Sequence, residues 1–151
     1  MSIKMSKQEI ANFLSKNNVA RIATIKPDKT PHVTPIWYLW KNNQLLVPTG
    51  KNTVKVRNIQ KNNNVAVTID TSTAPEKGVI IEGKAEIDEL NEEIRRRICQ
   101  RYVSPEDLNK YLNYAQTHHS SVLLKIHPKK MITWDYSKDT FLNKIRSKGS
   151  T

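Results

Sequence analysis

Short runs of β-branched and aromatic residues, joined by segments too short for a crossover helix, fill the first half of this chain. Val19–Ile25 reads as a strand, and Pro27-Asp28-Lys29-Thr30 as the turn after it. His32–Trp40 reads as a second strand, Lys41-Asn42-Asn43 as a turn, and Gln44–Pro48 as a third strand. Connections of hairpin length predict a three-stranded meander. They argue against a parallel α/β sheet, which needs regular helical crossovers. Pro35 has no N–H to give to a ladder, so its stretch belongs to an edge, a bulge or a ligand-facing segment.

The remaining elements follow from periodicity and capping. Ser6-Lys7-Gln8-Glu9 is a capping-box pattern opening a helix to about Lys16, which Asn17-Asn18 stop. Val56 and Ile59 suggest a short helix over Thr53–Ile59. Val65–Ile69 and Val79–Ile87 are further strands, the second with a bend or bulge at Gly83. Ile94, Ile98 and Tyr102 lie four apart on a helix capped by Asn91, with Arg95-Arg96-Arg97 expected on its solvated face. Ser104-Pro105-Glu106-Asp107 starts another helix, ending near His118. Val122–Ile126 and Lys130–Trp134 read as two last strands around a His127-Pro128 turn. The basic tail, about residues 137–151, is expected to fray. These elements predict a mainly β protein with helices (α+β), an antiparallel sheet closing into a barrel with peripheral helices, in one domain over residues 1–151.

Composition narrows the function classes. With 25 Lys+Arg against 14 Asp+Glu, the 151 residues carry a net charge of +11. The charge is +8 over residues 1–70, −3 over 71–107 and +6 over 108–151. A strongly basic chain raises the question of a nucleic-acid partner. Trp37-Tyr38-Leu39-Trp40-Lys41 interleaves aromatics with a cation, but no recognised nucleic-acid motif follows. One cysteine, Cys99, excludes an intramolecular disulfide, and the four histidines have no partners at metal-ligand spacing. No metal site is expected. No apolar run reaches membrane-spanning length and no secretory signal is apparent, so a cytoplasmic setting is expected.

Pro48-Thr49-Gly50-Lys51-Asn52-Thr53 leaves a strand and enters a short helix. It lacks the glycine spacing and the Lys-Ser/Thr adjacency of a nucleoside-triphosphate loop. A helix N-terminus still favours an anion. Thr49 and Thr53 add hydroxyl donors, and Lys51, Lys55 and Arg57 add cations. A terminal phosphate suits that set. An amphipathic turn with exposed basic residues explains the same pattern. Trp37, Tyr38, Trp40 and Trp134 offer surfaces for a flat ring as well as core.

The order Arg21–Ile25, Pro31–Tyr38, Leu45–Thr49, Lys55–Ile59 and Val65–Ile69 resembles the pyridoxamine 5′-phosphate oxidase-like family, with its flavin/deazaflavin oxidoreductase branch nearest. The similarity covers about residues 8–88, with a weaker echo at Met131–Asp135. It implies a split β-barrel, a homodimer, and FMN or the deazaflavin coenzyme F-420 in a groove at the dimer interface. Lys55 matches the family's phosphate-contacting lysine, Thr53 and Val54 the positions before it, and Thr49 a residue of the same pocket. Val33, Thr34, Pro35 and Ile36 match the strand beside the ring system. Arg57 lies within reach of a phosphate or an acidic tail, and Lys51 would extend a basic groove suited to the polyglutamate tail of F-420.

Pyridoxamine phosphate oxidases place an arginine where Thr34 stands, and their C-terminal Arg/His motif has no counterpart in Lys138–Thr151. That argues against pyridoxine chemistry and leaves FMN and F-420 both open. The resemblance implies hydride transfer between such a cofactor and a small substrate. A cofactor-binding protein without turnover is the alternative, and a nucleic-acid-binding domain a more distant one. No membrane partner is expected, and no side chain is marked as a catalytic acid.

Overall fold

Ser6 caps the first helix: its hydroxyl accepts the Glu9 N–H at 3.2 Å, and α1 spans Lys7–Leu14. The computed structural model describes residues 2–16, 19–118 and 120–148. The proposed Asn17-Asn18 stop lies outside them. β1 (Ala20–Ile25) and β2 (Pro31–Ile36) form an antiparallel hairpin. Its turn is tied by the Asp28 carboxylate, which accepts the Thr30 N–H at 3.0 Å. β3 (Leu39–Lys41) and β4 (Gln44–Gly50) form a second hairpin. Asn42 and Asn43 have φ of 51° and 58°, the left-handed pair of a type I′ turn that asparagine tolerates.

α2 (Val54–Lys61), β5 (Asn64–Asp70) and β6 (Lys77–Glu89) follow, then α3 (Glu92–Tyr102) and α4 (Leu108–His118). β7 (Ser121–Asp135), one 3-10 turn (Tyr136–Lys138) and α5 (Thr140–Lys148) complete the described chain. The Asn91 side chain caps α3 by accepting the Ile94 N–H at 2.9 Å. The sheet has seven antiparallel strands in the order β2-β1-β5-β6-β7-β4-β3. The predicted antiparallel α+β architecture with peripheral helices is therefore present, and the barrel is split: β2 and β3 end the sheet without pairing to each other.

Five expectations are corrected. The run His32–Trp40 is two strands, not one, broken at Trp37-Tyr38. The break carries the chain from one edge of the sheet to the other, so the first strands are two hairpins rather than a meander. Val122–Trp134 is one long strand, not two around a turn. Pro128 pairs with Gly83 at a β-bulge, where the missing N–H costs no ladder bond. The basic tail is helical over Thr140–Lys148 and fastened to the body. Lys138 pairs with Glu9, and Arg146 with Glu76. Finally, Arg95 is not on a solvated face: its side chain is 12% exposed.

Alternation sorts the apolar residues onto two faces. Ile22, Leu45, Val47, Val67, Ile69, Ile81, Leu124 and Ile126 fill the barrel core with Phe13 and Leu14 of α1 and Val56 and Ile59 of α2. Leu46 and Leu123 point the other way and meet Ile94 and Ile98 of α3. β4 is thus buried on both faces, which explains its unbroken Leu45-Leu46-Val47 run. No described helix is long and apolar enough to cross a membrane.

Candidate functional site

The break at Trp37-Tyr38 is held rigidly. Tyr38 is fully buried; its N–H donates to the Tyr102 hydroxyl at 3.1 Å, and its own hydroxyl donates to the Lys16 carbonyl at 3.2 Å. Arg101 of α3 donates to the carbonyls of Tyr38, Leu14 and Lys16, and its guanidinium lies 4.3 Å from the centre of the Tyr38 ring. A planar donor fork suits several carbonyls at once. The chain ends of α1 and β2 are thereby locked to α3. Trp37 then points away from the barrel core. It stacks on Tyr102 at 4.7 Å with 4° between planes, and meets Tyr111 of α4 at 5.6 Å.

Beside Trp37 lies a cleft of about 390 Å³. Pro35, Ile36 and Trp37 form one wall, the Pro48-Thr49-Gly50 end of β4 another, and α2 contributes Lys55. Arg95 and Cys99 of α3 and Tyr111 and Ala115 of α4 close the far side, and Val19 sits on the rim. The volume is in the range of small-molecule sites.

Lys55 is half-buried, and among the described residues its ammonium has no carboxylate partner. Burial pushes its pKa below that of an ordinary lysine. A desolvated cation without a counter-ion gains by binding an anion. The first turn of α2 adds to this. Thr53 stands at the N-cap, yet its hydroxyl donates to the Gly50 carbonyl at 3.0 Å and caps no N–H of the helix. Those N–H groups keep no side-chain acceptor, and the helix dipole points their positive end outward.

Arg95 is a second cation in the cleft. Glu92 stands 3.4 Å from its Nε, an ion pair without a hydrogen bond, so the buried Nε–H has no acceptor. Cys99, one turn along α3, is 5% exposed, and burial pushes its thiol pKa up. It stays protonated at neutral pH, which fits a small wall residue rather than a nucleophile. Among the described residues no three His, Cys, Asp or Glu side chains gather as metal ligands. His119 lies outside the described residues.

Of the sequence-derived candidates, the fold brings Pro35, Ile36, Thr49 and Lys55 into one cleft. The others are placed around it. Val33 is 62% exposed on the edge strand, and Thr34 is half-buried on the opposite face of β2. Val54 is exposed on α2, and Arg57 donates to the Asn52 carbonyl at 3.1 Å, bracing the loop. Lys51 lines a separate cleft with Asp88 and Glu89, its N–H bonded to the Ser120 carbonyl. The sequence reading missed Arg95, Tyr111 and Ala115. Their signal is i,i+4 spacing, Arg95 with Cys99 and Tyr111 with Ala115, which gives each helix a second inward stripe.

A family profile for pyridoxamine 5′-phosphate oxidase matches residues 6–135, spanning the sheet, α1 to α4 and the cleft. The chain belongs to the pyridoxamine 5′-phosphate oxidase family. Solved structures carry the same fold. A conserved hypothetical protein from Mycobacterium tuberculosis is 27% identical, with a TM-score of 0.74 over 89% of this chain and 87% of that one. A protein named F420 reductase is 22% identical, with a TM-score of 0.65 over 80% and 94%. A FAD-binding protein from Mesorhizobium loti is 23% identical, with a TM-score of 0.60 over 86% and 93%. No curated protein sequence matches significantly.

Proposed function

We propose that this member of the pyridoxamine 5′-phosphate oxidase family is a flavin- or deazaflavin-dependent oxidoreductase that binds FMN or coenzyme F-420 and acts on a small molecule. The observation that carries the reading is Lys55: a half-buried ammonium without a carboxylate partner among the described residues, at the start of α2, where no side chain caps the helix, in a cleft with an apolar wall. The donor set fits a phosphate. Lys55 and Thr49 would hold it, with the free N–H groups of α2, and Pro35, Ile36 and Trp37 would flank the ring. When bound, either cofactor supplies a ring that takes or gives a hydride.

The chain's own groups orient, desolvate and hold charge. Trp37, clamped by its stacking on Tyr102, gives a flat wall that excludes water. The Cys99 thiol remains neutral and does not compete for hydride chemistry. Homodimerisation belongs to the same proposal. Val19 on the cleft rim and Val33 on the edge strand β2, 47% and 62% exposed, are apolar residues that a second copy would cover, completing the cofactor site.

Turnover tests the reading. The protein is loaded with FMN or F-420, the cofactor is reduced chemically, and its reoxidation by dichlorophenolindophenol is followed by absorbance. Reoxidation faster than that of the free cofactor supports an oxidoreductase. A bound cofactor that reacts no faster than the free one favours a binding protein without turnover.

A further inference from the structure

Among the described residues the Arg95 side chain makes no hydrogen bond, and its one ion pair is with Glu92, a turn earlier on the same helix. Its side chain is 12% exposed, so most of its hydration is lost. Its Nε–H is buried without an acceptor, and its nearest carboxylate, Glu92, is 60% exposed and in water. A buried donor left unmade costs roughly 1–3 kcal/mol, more for a charged group. Such a cost persists where a ligand removes it. The surroundings fix what that ligand resembles. Arg95 opens into the same cleft as Tyr111 and Cys99, and its charge acts on both of their side chains. Trp37 and Tyr111 meet beside it, their ring centres 5.6 Å apart and their planes inclined by 39°, and the small side chain of Ala115 lines the same cleft. A guanidinium pairs best with a planar two-oxygen anion.

We infer that the α3–α4 side of the cleft is a subsite for a planar, largely apolar carboxylic acid, its carboxylate on Arg95 and its ring or alkene body against Trp37 and Tyr111. The inference rests on the reading of the cleft as a cofactor-dependent site and names the substrate class for it. Lys55 serves the cofactor phosphate, and Arg95 the acid. Two cations on separate elements let both anions bind without sharing a counter-charge. Glu92 competes weakly for Arg95 from the solvent side.

The test is calorimetric titration of the full chain with benzoate and with its neutral counterpart benzamide, with and without FMN. Wild type is expected to bind benzoate at least tenfold more tightly than benzamide. Arg95→Gln removes that preference, while Arg95→Lys keeps part of it. Glu92→Gln, which frees Arg95 of its competitor, tightens benzoate binding. FMN affinity is the same in wild type and Arg95→Gln. Benzoate binding indifferent to Arg95 overturns the subsite, even if FMN binds. Loss of FMN affinity in Arg95→Gln also overturns it, because Arg95 would then serve the cofactor. If FMN and F-420 both fail to bind while benzoate binds through Arg95, the subsite stands and the cofactor reading fails.

Discussion

At Gly83 a single methyl group would meet backbone. A Cβ there would lie 2.1 Å from the His127 carbonyl oxygen and 2.9 Å from its carbon. Neither atom can rotate aside, because both belong to the β7 backbone, which is paired with Lys84 and Gly83 of β6 at that level. Gly83→Ala should lower stability by about 1–3 kcal/mol, the usual cost of forcing atoms into a packed site. Urea denaturation reads this directly, and an unchanged midpoint would show that the bulge can relax. Lys55 makes a different prediction. Burial lowers its pKa, so its charge is lost as pH rises, earlier than for an exposed lysine. FMN affinity should therefore fall through the alkaline range. In Lys55→Arg, whose guanidinium stays protonated, the fall should be absent. Fluorescence titration at several pH values decides; the same alkaline fall in both proteins would remove Lys55 from the phosphate site.

Among the elements, α3 does most to build the cleft. It turns Ile94 and Ile98 onto Leu46 and Leu123, Arg101 onto the Trp37-Tyr38 break, and Arg95 and Cys99 into the cleft. Ile98 is fully buried. Ile98→Ala should cost about 2–5 kcal/mol and loosen the cleft wall, seen as a lower melting temperature together with a broader Trp37 environment in fluorescence. A variant of unchanged stability would mean that Ile94, Arg101 and Tyr102 hold α3 without Ile98.

Local rules made much of the fold readable in the sequence. The caps at Ser6 and Asn91 and the Asn42-Asn43 turn depend on neighbours in sequence, and the bulge at Gly83 is marked by the glycine itself. The break at Trp37-Tyr38 was hidden because strand propensity continues straight through it. Only Arg101, some sixty residues on, supplies the acceptor-seeking fork that bends the chain there. Pro128 misled for the opposite reason: a residue that normally ends a strand is tolerated where Gly83 lets the partner strand bulge. Lys55 was singled out by the family resemblance, since the local pattern fits an ordinary amphipathic turn with exposed basic residues equally well. Arg95 was masked by two arginine neighbours that do face solvent.

For the molecule as a whole, the charge of +11 divides into parts with different fates. Several cations are spent on ion pairs, among them Lys77 with Asp135 and Lys125 with Asp88, and most of the rest lie exposed. Two stand in the cleft without a hydrogen-bonding anion among the described residues, Lys55 and Arg95. The split sheet explains why a cleft exists at all. Two hairpins end on unpaired edges, and the Trp37 break between them turns an aromatic wall toward α3 and α4. The most direct measurement is fluorescence titration of FMN and of F-420 with the wild-type protein and Lys55→Ala. The account predicts that wild type binds at least one of them, and that Lys55→Ala binds it roughly 10–100-fold more weakly, as loss of a charged hydrogen bond implies. Wild type that binds neither, or a Lys55→Ala variant that binds as tightly as wild type, would contradict it.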